Sequence, residues 1–170
     1  MKLFLFLLPL ALLFGCTEDR TKLKTLQSEI NYLNTKNDSL EKEIQSIKPG
    51  LGDLMLEIQT HHNKLWYAGD EENWALAQFE HDEIMEILAQ AEKIEKERTE
   101  VKLFRVMIFP QLDSVQKSIQ QKNGNQFISA YTNLTKACNN CHADTKFEFN
   151  KIVVPERSSD YSNQDFEPVK

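Results

Sequence analysis

Apolar residues recur every three or four positions through residues 22–48, and this heptad period confines the segment to a coiled-coil helix. The first heptad position is filled by Leu23, Ile30, Asn37 and Ile44, and the fourth by Leu26, Leu33, Leu40 and Ile47. Isoleucine at the first position with leucine at the fourth favours two parallel strands, and a single buried asparagine, here Asn37, sets their register. The pattern predicts a self-associating stalk that stops at Pro49-Gly50.

The residues at the first and fourth heptad positions, which form the apolar seam of the stalk, do not by themselves determine how many chains associate. In a parallel dimer, Lys36 would face Glu41 and Glu43 would face Lys48, and both pairs attract. A trimer is the main alternative, and a solvated single helix serving as a linker is the other. An isolated helix with an apolar stripe is marginal in water, so we expect a homodimer or a trimer through residues 22–48.

The chain begins with Met1-Lys2 and an apolar run that ends at Phe14. This run is shorter than the roughly 20 residues that a membrane-spanning helix needs, and it is typical of an export signal. It ends in Leu13-Phe14-Gly15-Cys16, which resembles the lipobox of bacterial lipoproteins, although Phe14 is bulkier than the usual residue. The resemblance implies removal of residues 1–15 and a lipid on Cys16, with residues 16–21 as the lipidated N-terminus. An ordinary secretory leader followed by a chance cysteine is the alternative.

Near the other end of the chain, Cys138, Cys141 and His142 form the pattern C-x-x-C-H. On a helix, positions i, i+3 and i+4 lie on one face, so all three side chains point the same way. The pattern is the attachment signature of c-type haem, in which both thiols bond the haem vinyl groups and the imidazole binds the iron. The sequence therefore predicts one covalent haem c with His142 as an axial ligand.

Three other interpretations of the cysteine pair are weaker. A zinc site needs about four ligands, and the remaining histidines, His61, His62 and His81, lie far upstream. A thioredoxin-type pair would follow a strand in a βαβ unit, and no strand pattern precedes this one. An inert reduced pair is the last alternative. The histidine in register favours haem, and so does the export signal, because attachment through this motif requires export.

Charge and cysteine count narrow the expected partners. The formal net charge is −6, which argues against a nucleic acid and favours a neutral or basic redox protein that the sequence does not identify. With Cys16 assigned to lipid and the other two cysteines to haem, none of the three cysteines remains for a disulfide. The sequence contains no nucleophile triad, phosphate loop or nucleotide fingerprint.

Residues 51–147 carry apolar stripes at helical spacing and are predicted to form an antiparallel four-helix bundle. Gly69 is expected to end the first helix and Asp70 to cap the second. The charged stretch 93–102 is expected to be a solvated helix end and connection, and the regular third helix to begin near Phe109, at a proline. The core stripe of the fourth helix is Phe127, Tyr131, Leu134, Cys138 and Cys141.

The expected fold is therefore all-α: an N-terminal coiled-coil stalk, an antiparallel four-helix bundle and an irregular C-terminal tail. The tail, residues 148–170, bears prolines and is expected to be non-helical. We expect it to wrap over the bundle and to cover one edge of the haem, with Tyr161 and Phe166 as its aromatic anchors.

A four-helix bundle with Ala-Cys-Asn-Asn-Cys-His at the end of its last helix resembles the cytochrome c′ group and its low-spin, methionine-ligated relatives. The resemblance covers about residues 51–147; the stalk and the tail depart from it. It implies that the sixth iron position faces the first helix, where low-spin members carry methionine and high-spin members leave the position open beside an apolar residue. Residues 51–66, Asn73-Trp74 and residues 161–166 also resemble small exported haem proteins of Bacteroidetes-type bacteria.

Met55 is the leading candidate for the sixth iron ligand. It lies on the core face near the start of the first helix, and an antiparallel bundle brings that start to the end of the fourth helix. A thioether opposite His142 would give six-coordinate iron and raise the reduction potential, whereas packing in the core is the commoner role of such a methionine. His62, two turns along the same face, is the alternative ligand. His61 is rotated away, and His81 is expected to be a hydrogen-bonded core or rim histidine.

These features predict a lipid-anchored, mono-haem c-type cytochrome that carries electrons in the bacterial cell envelope. With His142 and Met55 filling both axial positions, no position is open for a substrate, so we expect a carrier rather than an enzyme. The lipid on Cys16 would hold it at a membrane, facing the periplasm or the exterior, and Thr17 favours the outer membrane. A five-coordinate protein that binds nitric oxide or carbon monoxide is the first alternative, and a structural lipoprotein without haem is the second.

Overall fold

The computed structural model describes residues 8–155 and 166–168, and side chains from residue 19 onward. Every regular element in those ranges is helical, as the sequence predicts. The chain divides into two units, Met1–Lys48 and Pro49–Lys170. The leader side chains, Cys16 and Tyr161 lie outside the described residues, so the predictions made for them stay predictions.

The first unit contains one long helix, α1 (Leu8–Ile47). The side chains of its heptad seam are solvent-exposed, from 47% for Leu40 to 75% for Ile47. Since apolar seams of this kind are stabilised by burial against another helix, the seam is available for self-association. Among the described residues, no helix is both long enough and apolar enough to cross a bilayer.

The second unit is the bundle. Its elements are α2 (Leu51–Asp70), α3 (Trp74–Ile94), α4 (Thr99–Leu103), a π-helical segment (Phe104–Ile108), α5 (Phe109–Gln120) and α6 (Gly124–Asp144). The middle three run on without a break and together form the third helix of the bundle. Successive helices pack against each other, and α2 also packs against α6, which closes the four-helix bundle.

Asparagines cap the helices at the two short turns of the bundle. The side chain of Asn73 accepts a hydrogen bond from the Leu76 N–H at 3.2 Å and so begins α3. Asn123 begins α6 in the same way, with a distance of 3.1 Å. The predicted helix end at Gly69 and the predicted cap at Asp70 are therefore wrong, because α2 continues through both residues.

Gly69 is required by packing rather than by backbone conformation. A Cβ atom at this position would overlap the ring of Phe127, which is fully buried on α6. The left-handed conformation that ends the helix is adopted by Glu72 instead, with φ of 54°. The small residue therefore lets α2 approach α6 closely.

The third helix begins earlier than the charge pattern predicts. α3 does end within the charged stretch, at Ile94, but α4 starts at Thr99 and Val101 is only 3% exposed, so the connection is shorter than predicted. The regular helix α5 does begin at Phe109, as predicted. Between them, the Phe109 N–H donates to the carbonyl of Phe104, five residues back. Pro110 accounts for the wider turn, because proline has no N–H and its ring clashes with the carbonyl four residues before it.

The described parts of the tail are non-helical, as predicted, and both contact the bundle. Ile152 is joined to Asn139 on α6 by two hydrogen bonds of 2.8 Å. Phe166 is buried, with its ring centroid 5.3 Å from that of Tyr67 near the end of α2. Asn73, beside it, donates to the Glu167 carbonyl at 3.0 Å. The tail is therefore anchored at both ends of the bundle.

Candidate functional site

A cavity of about 420 Å³ lies where the start of α2 meets the end of α6. Such a volume lies within the usual range for a small-molecule or cofactor site. Its wall is mostly apolar and is completed by α3, the π segment and the tail. The apolar lining includes Leu51, Met55, Ile58, Ile84, Leu88, Phe104, Ile108, Leu134, Phe147 and Ile152. The antiparallel order of the helices predicted this: the start of the first helix of the bundle and the end of its last helix line the same cavity.

The three residues of the C-x-x-C-H motif all line this cavity from α6. Cys141 is buried and Cys138 half-buried. Burial raises the pKa of the Cys138 thiol to about 12 and also raises the pKa of Cys141. Redox-active cysteine pairs need a lowered thiol pKa, so these two thiols are poor candidates for disulfide exchange.

His142 is held in one orientation by the backbone of the tail. Its Nδ1–H donates to the carbonyl oxygen of Asn150 at 2.6 Å. A carbonyl oxygen can only accept, so the neutral ring carries its proton on Nδ1 and leaves the lone pair of Nε2 free. A metal-binding histidine has this arrangement, with the second nitrogen bound to a backbone carbonyl or a carboxylate.

Met55 is half-buried and lines the same cavity from α2. The other described methionines, Met85 and Met107, pack against the core elsewhere and do not line it. Leu51 and Ile58 lie one turn to either side of Met55 on the cavity wall. The thioether is therefore the one soft ligand that α2 offers opposite the motif.

His62 also lines the cavity, but both of its ring nitrogens are engaged. Nδ1 is hydrogen-bonded to the hydroxyl of Tyr131 at 2.9 Å, and Nε2 is hydrogen-bonded to the hydroxyl of Thr135 at 3.1 Å. Burial lowers the pKa of His62 from 6.5 to about 4, so the ring is neutral. Neither nitrogen has a lone pair to spare for a metal, which favours Met55 over His62 as the sixth ligand.

The remaining two histidines are structural. His61 Nδ1 lies 2.7 Å from a carboxylate oxygen of Glu80, which is fully buried and also pairs with Lys64 at 2.8 Å. His81 is buried, and its Nε2–H donates to the carbonyl of Leu112 at 3.2 Å, as expected for a core histidine. The buried carboxylate of Glu80 was not predicted, because glutamate is rarely fully buried unless it is paired, and its partners here come from another helix.

Two further groups at the cavity were not predicted from the sequence. Arg98 and Glu100 line it and pair with each other at 3.0 Å. The hydrogen bond from Arg98 lowers the pKa of the Glu100 carboxyl. Both belong to the stretch that was expected to be a solvated connection. The carbonyl of Asn150 has no sequence signal at all, since any residue supplies a carbonyl.

Within the described ranges, no three histidine, cysteine, aspartate or glutamate side chains are grouped so that they could hold a metal ion. Comparisons with protein-family models, with curated proteins and with solved structures give no match.

Proposed function

We propose that this protein is a lipid-anchored, mono-haem c-type cytochrome of the cytochrome c′-like type, and that it carries electrons in the bacterial envelope. One observation carries the proposal: Cys138, Cys141 and His142 line a mostly apolar cavity from α6, and Met55 lines the same cavity from α2. A covalent haem needs two thiols, one free imidazole nitrogen and an apolar enclosure, and each of these is supported by the geometry described above.

In this proposal, each residue has one role. Cys138 and Cys141 anchor the haem through thioethers, and His142 Nε2 and the sulfur of Met55 hold the iron. The bound haem supplies one-electron redox chemistry. The apolar wall keeps water from the iron, and a methionine ligand raises the reduction potential. If His142 and Met55 both hold the iron, no position is left for a substrate, and the protein would transfer electrons without binding one.

The N-terminal unit would determine where this domain works. A lipid on Cys16 attaches the chain to a membrane, with the outer membrane favoured, and the stalk of residues 22–48 separates the bundle from the lipid. Self-association through the exposed seam would bring two or three haem domains together. Their redox partner is expected to be a neutral or basic protein.

The test is the production of the full chain with an export and haem-attachment system, followed by a haem stain after denaturing electrophoresis and optical spectra. We expect a covalently stained band and a low-spin, six-coordinate spectrum. Met55→Leu should convert the oxidised protein to a high-spin form, whereas Met85→Leu, the matched change outside the cavity, should leave the spectrum unchanged. An unstained band would exclude the cytochrome and leave the structural lipoprotein.

A gas-binding protein is the second candidate, and one observation favours it. Leu51 and Ile58 flank Met55 on the cavity wall, so the distal side would be apolar if the thioether did not bind the iron. In that case the wild-type protein would be high-spin and five-coordinate and would bind carbon monoxide rapidly in the reduced state. Met55→Leu would then leave the spectrum unchanged.

A further inference from the structure

We infer that Asn139 is a positioning residue for the iron ligand: it clamps the tail so that a tail carbonyl orients the imidazole of His142. The inference rests on the proposed function, since it assigns a task to a residue beside the haem-binding residues. Asn139 occupies the first variable position of C-x-x-C-H, where the haem pattern makes no demand on the residue type.

The clamp is a pair of reciprocal hydrogen bonds. Asn139 Nδ2 donates to the Ile152 carbonyl at 2.8 Å, and the Ile152 N–H donates to Asn139 Oδ1 at 2.8 Å. The side-chain amide thus binds the tail backbone as a neighbouring strand would, with both the donor and the acceptor of one residue satisfied. Both partners are half-buried, which protects the bonds from water.

The clamp closes a short loop that begins at the end of α6. The Phe147 N–H donates to the His142 carbonyl at 2.7 Å, and Lys146 adopts a left-handed φ of 67°, so the chain reverses there. The Asn150 N–H then bonds the Phe147 carbonyl at 2.8 Å. The loop is therefore tied by its own backbone at one end and by Asn139 at the other.

Asn150 lies inside this loop, two residues before the clamped residue. Its carbonyl accepts the Nδ1–H of His142 at 2.6 Å. Asn150 is itself exposed, so its side chain is not buried against anything that could hold the carbonyl in place. The Asn150 N–H bond to Phe147 holds the chain on one side of that carbonyl, and the two bonds between Asn139 and Ile152 hold it on the other side.

This arrangement has a chemical consequence for the ligand. A hydrogen bond from the distant ring nitrogen to a carbonyl makes an imidazole a stronger electron donor and prevents it from rotating. Stronger donation stabilises the oxidised iron more than the reduced iron, so the clamp lowers the reduction potential. Loss of such outer partners changes metal affinity or activity by about tenfold or more.

The experiment compares Asn139→Ala with Asn140→Ala in the haem-loaded chain. Asn140 is the neighbouring asparagine of the same motif, and it is exposed. For Asn139→Ala, we expect a higher reduction potential, equivalent to about a tenfold change in the ratio of reduced to oxidised protein, or about 59 mV for one electron. Asn140→Ala should leave the potential unchanged. Equal potentials in the wild type and Asn139→Ala would overturn the inference, and so would equal shifts in both variants.

A second measurement does not depend on haem. In the haem-free chain, nitrogen NMR of the His142 ring should detect the proton on Nδ1 in the wild type, and a mixture of tautomers in Asn139→Ala. Failure of the haem stain with this tautomer shift present would reject the cytochrome and retain the clamp. If the protein stains for haem, and Asn139→Ala changes neither the ring tautomer nor the reduction potential, the clamp is rejected and the cytochrome is retained.

Discussion

Two histidines line the same cavity in opposite chemical states. His62 engages both Nδ1 and Nε2 in hydrogen bonds within the protein, and burial lowers its pKa to about 4. His142 uses only Nδ1, which leaves Nε2 available. Identical side chains thus receive different roles because of their hydrogen-bond partners.

The buried neutral state of His62 predicts a pH dependence of stability. An unfolded histidine has a pKa near 6.5 and this one about 4 when folded, so between these values the unfolded chain binds the additional proton. The free energy of unfolding should therefore decrease as the pH falls from about 6.5 to about 4, by up to about 3 kcal/mol. Above pH 6.5 this group should contribute no pH dependence.

His62→Leu is the variant that checks this pH dependence. Tyr131 keeps the His62 backbone carbonyl as a hydrogen-bond acceptor at 2.9 Å, and Thr135 keeps the Tyr131 carbonyl at 3.0 Å, so neither hydroxyl is orphaned. Denaturant titrations of the wild type and the variant at pH 7 and pH 4.5 measure how much stability each protein loses. The carboxylates are the same in both proteins, so a larger loss in the wild type is due to His62. Equal losses in wild type and variant would contradict the assignment.

Replacement by alanine should destabilise the protein at Gly69 but not at Gly52, although both glycines lie in α2. Gly69→Ala places a Cβ against the buried ring of Phe127, and overpacking of this kind costs about 1–3 kcal/mol. Gly52→Ala meets nothing within 4 Å and should be neutral or stabilise the helix by up to about 1 kcal/mol. Thermal unfolding of the two variants measures both. Changes of the same sign would show that the α2–α6 contact is not as close as described.

At the scale of elements, the third helix of the bundle depends on its π segment. Phe104 and Ile108, which begin and end that segment, both line the cavity. Single π turns inside α-helices are frequent at functional sites because the wider turn changes the direction of nearby side chains. Pro110 thus affects the site through the backbone, although it does not line the cavity.

In the stalk, we expect Asn37 to lower the stability of the coiled coil and to restrict its number of chains. Asn37 would lie at a core position of the predicted coiled coil, where a polar residue sets the register and the number of chains at some cost in stability. Asn37→Leu should raise the melting temperature of the stalk and broaden its distribution of oligomers. Sedimentation of the chain without its leader measures both effects.

Asn31→Leu, off the seam, is the matched control for this change. Asn31 is exposed in α1, and its replacement adds the same apolar side chain without altering the seam. A single, unchanged oligomer in Asn37→Leu, or equal effects of the two variants, would contradict the role given to Asn37.

At the scale of the whole molecule, the site is assembled from segments that are far apart in sequence. Its wall combines residues 51–62, 84–88, 98–108 and 134–152. Apolar surface is stabilised when it is removed from water, so a ligand that covered this mostly apolar wall would stabilise the folded bundle.

The double variant Cys138→Ser/Cys141→Ser, which cannot attach haem, tests this expectation. We expect it to keep its helical far-ultraviolet spectrum and to unfold at a lower temperature than the haem-loaded chain, because a group that is bound only in the folded state stabilises that state. Cys16→Ser, which removes only the lipid site, should unfold like the wild type. A double variant with an unchanged melting temperature would show that the bundle gains no stability from a ligand in the cavity.

Local patterns were sufficient to predict most of the elements. Helical periodicity predicted an all-α bundle with α5 beginning at Phe109, and the antiparallel order predicted that Met55 would lie near Cys138 and His142. Helix ends were predicted less well, because Gly69 and Asp70 are common at helix ends and here lie within α2. The choice between backbone and packing roles for a glycine depends on what faces it, which in this case is Phe127.

What the sequence determined by itself is whatever depends on residues close together along the chain: the heptad seam, the C-x-x-C-H face and the helical period. Only the tertiary structure decided which nitrogens of His62 and His142 are free, because their partners, Tyr131 and the carbonyl of Asn150, are brought to them by folding. Hydrogen bonds to a backbone carbonyl and the fit of side chains in a cavity leave no mark on residue type, so the sequence could not reveal them.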